Sequence, residues 1–174
     1  MTQLRRKQLL GLFCAASAAA VVLLVWANAA RIFAPVSLPA DDPGSRLAFA
    51  ARWLVVPGLT LLAGIQGAAR RGFYADAIDG TRTPASRSLE LNLRYNQNTV
   101  EQVVLAAIAW GGLSQALPRD QLVLIPAMAA LFAIGRITFW IGYALDPIGR
   151  TFGMSLTAVP TLLAYAFLAW TVLT

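Results

Sequence analysis

Long apolar runs constrain this chain more than any other feature. Five stretches, residues 9–30, 47–69, 89–113, 121–145 and 151–174, are each close to the length a helix needs to span a membrane, roughly 20 residues for a hydrocarbon core about 30 Å thick. Between them lie breaker-rich connections: Pro35, Pro39 and Asp41-Asp42-Pro43-Gly44, then Pro118-Arg119-Asp120, then Asp146-Pro147-Ile148-Gly149. Of the 174 residues, 58% are hydrophobic and 13% charged. A soluble domain is about half apolar and a quarter charged. In lipid every backbone polar group must be satisfied internally, which helices do. The chain therefore reads as an all-α integral membrane helical bundle.

The first run follows Arg5, Arg6 and Lys7, and Ala27-Asn28-Ala29 resembles a signal-cleavage site. Its apolar stretch of about 20 residues exceeds the usual 7–15 of a signal peptide, so it is read as an uncleaved span. Pro57-Gly58 predicts a kink in the second run. Residues 72–88, with Asp76, Asp79, Arg82 and Arg87 around Gly80 and Pro84, read as an extramembrane loop, with Ser88 capping the next helix. Gly111-Gly112 with Pro118-Arg119-Asp120 predicts a short turn, and Pro160 lies inside the last run.

The net charge is +6. The arginines sit at the ends of apolar runs and not on a soluble basic face, so the charge is read as membrane anchoring and nucleic acid is excluded as a partner. The positive-inside bias puts the N-terminus, residues 72–88 and Arg150 in the cytoplasm, and Arg119 and the C-terminus outside. The alanine- and arginine-rich composition suggests a bacterial inner membrane. There is no histidine, which removes histidine triads and histidine metal sites, and no metal is expected. Cys14 is the single cysteine, so no intrachain disulfide can form.

Charge at membrane depth calls for an explanation. Arg94, Asn98 and Glu101, at i, i+4 and i+7, lie within about 60° on one helix face. One reading is a self-neutralising Arg–Glu pair near the interface, bridged by Asn98. The other is a site for a small zwitterion, with Arg94 on its carboxylate and Glu101 on its ammonium. In the fourth run Arg136, Phe139 and Tyr143 share a face, and Gly135 and Gly142 permit close helix approach. Tyr143 also reads as a belt aromatic and Arg136 as a snorkelling cation. Arg150, near the start of the last run, opposes the helix dipole. It can anchor an anion such as a thiolate, whose pKa nearby cations lower.

The stretch Arg94-Tyr95-Asn96-Gln97-Asn98-Thr99-Val100-Glu101 resembles the R-x-x-x-N-x-x-E signature of the MAPEG superfamily, the membrane-associated proteins of eicosanoid and glutathione metabolism. Gly135-Arg136-Ile137-Thr138-Phe139-Trp140-Ile141-Gly142-Tyr143, with Arg150 downstream, resembles its second signature, G-R-x-x-Y/F-x-x-G-Y plus an arginine. Ala69-Arg70-Arg71-Gly72-Phe73 resembles the arginine pair ending the first family helix in leukotriene-forming members.

The resemblance implies a four-helix membrane domain over residues 47–174, preceded by an extra transmembrane helix and loop over residues 1–46. It implies homotrimers with glutathione, a co-substrate, between subunits on the side of the 72–88 loop. Arg94, Asn98 and Glu101 would hold glutathione's charged ends, Tyr143 and Arg136 would belong to the same site, and Arg150 would stabilise the thiolate. Arg70 and Asn96 would reach across from the adjacent subunit. Arg71 corresponds to an arginine implicated in handling the second substrate. The implied function is a glutathione-dependent transferase or peroxidase acting on a lipophilic electrophile or lipid hydroperoxide. The alternative is a non-catalytic protein of the same fold that binds a lipid or a partner protein. Two departures favour the alternative: Gln102 stands where leukotriene-forming members have tyrosine, and Phe139 lacks the hydroxyl often found there. Each removes a hydrogen bond worth about 1 kcal/mol.

Overall fold

A computed structural model describes residues 2–73, 75, 77–80 and 86–174. The expectations resting on Asp76, Arg82 and Pro84 lie outside the described residues. Seven α-helices make up the chain among those residues: α1 (Gln3–Ala27), α2 (Ala29–Ile32), α3 (Pro43–Trp53), α4 (Val55–Ala69), α5 (Arg87–Ala116), α6 (Leu124–Leu145) and α7 (Arg150–Leu173). Short 3-10 turns follow α4 and precede α6. No strand occurs among the described residues.

The helix ends follow local chemistry. Asp42 caps α3, its Oδ1 accepting from the Ser45 backbone N–H at 2.9 Å, with Pro43 in the first turn. Hydrogen bonds from Ser45 hold the Asp42 carboxyl below the usual aspartate range. The second run breaks at Leu54, earlier than Pro57-Gly58 predicts. Proline has no N–H to give the Trp53 carbonyl and its ring crowds that oxygen, so the defect falls one turn upstream. Ser86, not Ser88, caps α5, its Oγ accepting from Leu89 N at 3.4 Å. The helix then runs unbroken through Gly111 and Gly112 to Ala116. Leu168 of α7 lies against Gly112; Leu117 before Pro118 turns extended and ends the helix.

Four segments are long and apolar enough to cross a membrane: Gln3–Ala27, Pro43–Phe73, Arg119–Leu145 and Arg150–Leu173. Helix α5 has the length but a polar first half. It runs between the same two ends: its start meets Arg70 at the end of α4, and its last carbonyls meet Arg46 of α3. The molecule is thus a multi-pass membrane bundle, as the apolar runs predict. Helix α6 is central, with 67% of its most apolar stretch buried, against 28% for α7, 22% for the α3–α4 segment and 11% for α1. Trp110, Ile125, Met128 and Phe132 fill the middle of the core.

The two ends differ in how they are tied. At the end away from the N-terminus, Arg46 donates to Ser114 O at 2.6 Å and to Leu117 O, and pairs with Asp41 at 2.7 Å. Arg119 donates to Pro39 O at 2.7 Å. These bonds fasten the segment before α3 onto the end of α5. The other end gathers the starts of α1, α5 and α7 with the ends of α4 and α6, and it carries the candidate site.

Candidate functional site

The most constrained polar group is Arg136. Helix α6 buries it completely, at 0% exposure. It donates to Asn98 Oδ1 of α5 at 2.7 Å and to Thr157 Oγ1 of α7 at 2.6 Å. Its guanidinium lies 4.8 Å from the centre of the Phe139 ring and 5.6 Å from that of Phe132. Its Nε has no partner among the described residues. A buried cation needs polar partners, and here neutral dipoles and two ring faces supply them. Arg136 therefore does not snorkel. It joins three helices and holds Asn98 in one orientation.

The other two members of the first signature face outward. Arg94 is exposed and lies 3.9 Å from Glu90, four residues away, also exposed. Glu101 is exposed and accepts from Gln97 Nε2 at 2.8 Å. Arg94 and Glu101 make no pair with each other among the described residues; each takes a neighbour on its own helix. They leave a polar strip on the outer face of α5, bordered by exposed Val100, Val104 and Ile108.

Asn96 lies against Gly64, and Asn92 against Gly67, where a Cβ on either glycine would sit within 3.0 Å of the asparagine. Asn96 Oδ1 and Asn92 Nδ2 are buried without a partner among the described residues. Tyr95, between them, donates to Thr60 O at 3.0 Å and packs on Phe139 and Trp140.

At the basic end, Arg70 donates to Ser88 O at 3.0 Å and to Ser88 Oγ at 2.7 Å. Arg71 donates to Ala77 O at 3.0 Å. Both arginines thus turn back onto their own chain. The Arg150 guanidinium stacks 4.8 Å from the centre of the Tyr143 ring, which meets Phe139 edge-on at 5.8 Å. Beside it opens a cleft of about 140 Å³ lined by Arg87, Glu90, Leu91, Tyr143 and Pro147. The chain alone thus brings Arg136 to Asn98 and Arg150 to Tyr143, and leaves Arg94 and Glu101 apart on an open face. Gln102 and Phe139, where the family hydroxyls are missing, are both buried.

Sequence reading passed over Thr157, Glu90 and Tyr95. Thr157 follows Arg150 by seven residues, on one face of α7, and a polar residue there was the available signal. Glu90 precedes Arg94 by one helical turn, the ordinary spacing for an ion pair.

The sequence profile of the MAPEG family matches residues 47–170. Transmembrane protein 79 of Mus musculus is 36% identical over 84 residues, covering 48% of this chain and 21% of that protein. The same protein of Bos taurus is 36% identical over 76 residues, covering 44% of this chain and 19% of that protein. The similarity thus spans about a fifth of the length of these relatives. No solved structure matches. With the profile match running from the start of the second apolar run almost to the C-terminus, this chain belongs to the MAPEG family.

Proposed function

We propose that this protein is a membrane-bound glutathione-dependent transferase or peroxidase that acts on a lipophilic electrophile or lipid hydroperoxide at its basic end. The observation that carries this reading is the Arg150 guanidinium stacked 4.8 Å from the Tyr143 ring centre beside the polar cleft at the start of α5. A cation beside a bound thiol lowers its pKa and favours the nucleophilic thiolate. Glutathione would supply that thiol. Arg94 and Glu101, opposite in sign and exposed, suit its carboxylate and ammonium. The buried Arg136 fixes Asn98 between them.

Because the Arg94–Glu101 strip is open, a neighbouring copy in a homotrimer would close it. Arg70 and Asn96 would then contribute from that copy, and Arg71 would meet the second substrate. The arginine distribution supports a cytoplasmic side for this end; the bacterial inner membrane is the setting that the alanine- and arginine-rich composition favours. Glutathione would reach the site from water and the apolar substrate from the bilayer. A second reading, a non-catalytic member that binds a lipid or a partner protein, is favoured by Gln102 and Phe139, which carry no phenolic hydroxyl.

Titration of the detergent-solubilised protein with glutathione, followed by ultraviolet thiolate absorbance, separates the two. Saturable absorbance at neutral pH, weakened about tenfold or more by Arg150→Ala, supports the enzyme. No binding at millimolar glutathione sinks it and leaves the second reading.

A further inference from the structure

An open cavity lies at the opposite end from the candidate site. It has a volume of about 480 Å³ and is lined by Ser37, Pro39, Ser45, Ala48, Phe49 and Arg52, among others. One wall is the extended segment before α3, which lies outside the family match. The other wall is the face of α3 that carries Ser45, Ala48, Phe49 and Arg52. Arg119 fixes the first wall through Pro39 O, and Arg46 fixes the second through the end of α5. The cavity is therefore a fastened feature and not a gap beside a loose loop.

Its one cation is Arg52, which is exposed. The guanidinium lies 5.6 Å from the centre of the Phe49 ring and has no carboxylate partner among the described residues. The nearby acids are engaged: Asp41 pairs with Arg46 at 2.7 Å, and Asp42 caps α3. At about 1.5 Å per residue, Arg52 lies ~14 Å along α3 from Pro43. A long arginine there can bring its charge up to the headgroup layer while its stem stays among apolar groups. The Ser37 and Ser45 hydroxyls add donors near the same opening, while Pro39, Ala48 and Phe49 offer an apolar floor. Cavities of roughly 300–1,000 Å³ suit ligands of small-molecule size.

We propose that this cavity binds the anionic phosphate headgroup of a membrane lipid, with Arg52 as its counter-charge and the acyl chains lying along α3. The site is independent of the glutathione reading. It joins the segment before α3 to the first helix of the family-matched region and sits at the other end of the bundle.

The test is thermal unfolding of the full chain in mild detergent, with dioleoyl phosphatidylglycerol or dioleoyl phosphatidylcholine added. Phosphatidylglycerol should raise the midpoint by about 3 °C or more, and phosphatidylcholine should not. The rise should disappear in R52Q and persist in R31Q, which removes an exposed arginine from the same end. It should also disappear in Ala48→Trp, which fills the cavity and keeps the charge. The proposal is overturned if R52Q keeps the rise, if both lipids act alike, or if neither acts. It is likewise overturned if glycerol 3-phosphate reproduces the rise, or if R52Q changes the assembled size, which would make Arg52 a contact between copies.

Discussion

Helix α7 has two very different neighbours. On one side α6 meets it through glycines: Gly135 and Gly142 of α6 face Gly153 of α7 and Gly149 just before it, where any Cβ would come within 3.0 Å of backbone atoms across the seam. A side-chain bond from Arg136 to Thr157 crosses the same seam. On the other side α1 meets the bundle through Ala18 and Val22, packed with Leu131 and Leu156, and no side-chain hydrogen bond crosses among the described residues. Much of α1 faces outward: Leu12, Phe13 and Leu24 are each about two-thirds exposed. In lipid, apolar surface alone gives helices little reason to associate. Specificity must come from close backbone approach and buried polar bonds. The α6–α7 seam has both, inside the family-matched region; the α1 seam, outside it, has only small apolar contacts.

Breaking the tight seam should have the largest effect. In Gly153→Leu the new side chain would begin against the backbone of Gly135 and Phe139, which no rotamer change relieves. Overpacking usually costs about 1–3 kcal/mol, and a backbone clash belongs at or beyond the top of that range. Yield and monodispersity after detergent extraction, with the unfolding midpoint, measure it. A variant as stable as the parent would show that the two helices do not touch along this line.

Removing the polar link tests the second ingredient. Asn98→Ala leaves the Arg136 guanidinium buried with Thr157 as its only hydrogen-bond partner among the described residues. Hydrogen bonds to charged groups contribute about 1.5–3 kcal/mol, and a loss of that size is expected in denaturant titration. An unchanged midpoint would mean that water or another group already serves the arginine.

The contrast also explains what could be read from sequence. Apolar run length located the spanning helices, and Gly135 and Gly142 announced the close approach. Periodicity placed Arg94, Asn98 and Glu101 on one face, but not which neighbour each would choose. Residues seven apart on a helix are separated by about 10.5 Å along the axis, so Arg94 and Glu101 turn to Glu90 and Gln97, one turn away. Nor does periodicity say that the Arg136 face points inward; that depends on Thr157 and Asn98 arriving from two other helices. Pro57 signalled a break but not its site, because the carbonyl it deprives lies one turn upstream.

The smallest effect is expected at the loose seam, and it bears most directly on the comparison. Val22 is fully buried between α1 and the bundle, so burial alone would rank Val22→Ala beside an ordinary core truncation. In water such a truncation loses transfer free energy as well as contacts. In a bilayer the apolar transfer term is nearly absent, and only dispersion contacts are lost. The expected cost is below about 1 kcal/mol, with the assembled size unchanged. A loss as large as that of Asn98→Ala would place α1 among the elements that specify the fold. The family-matched helices would then need the added one for stability, and the difference between the two faces of α7 would be one of chemistry alone.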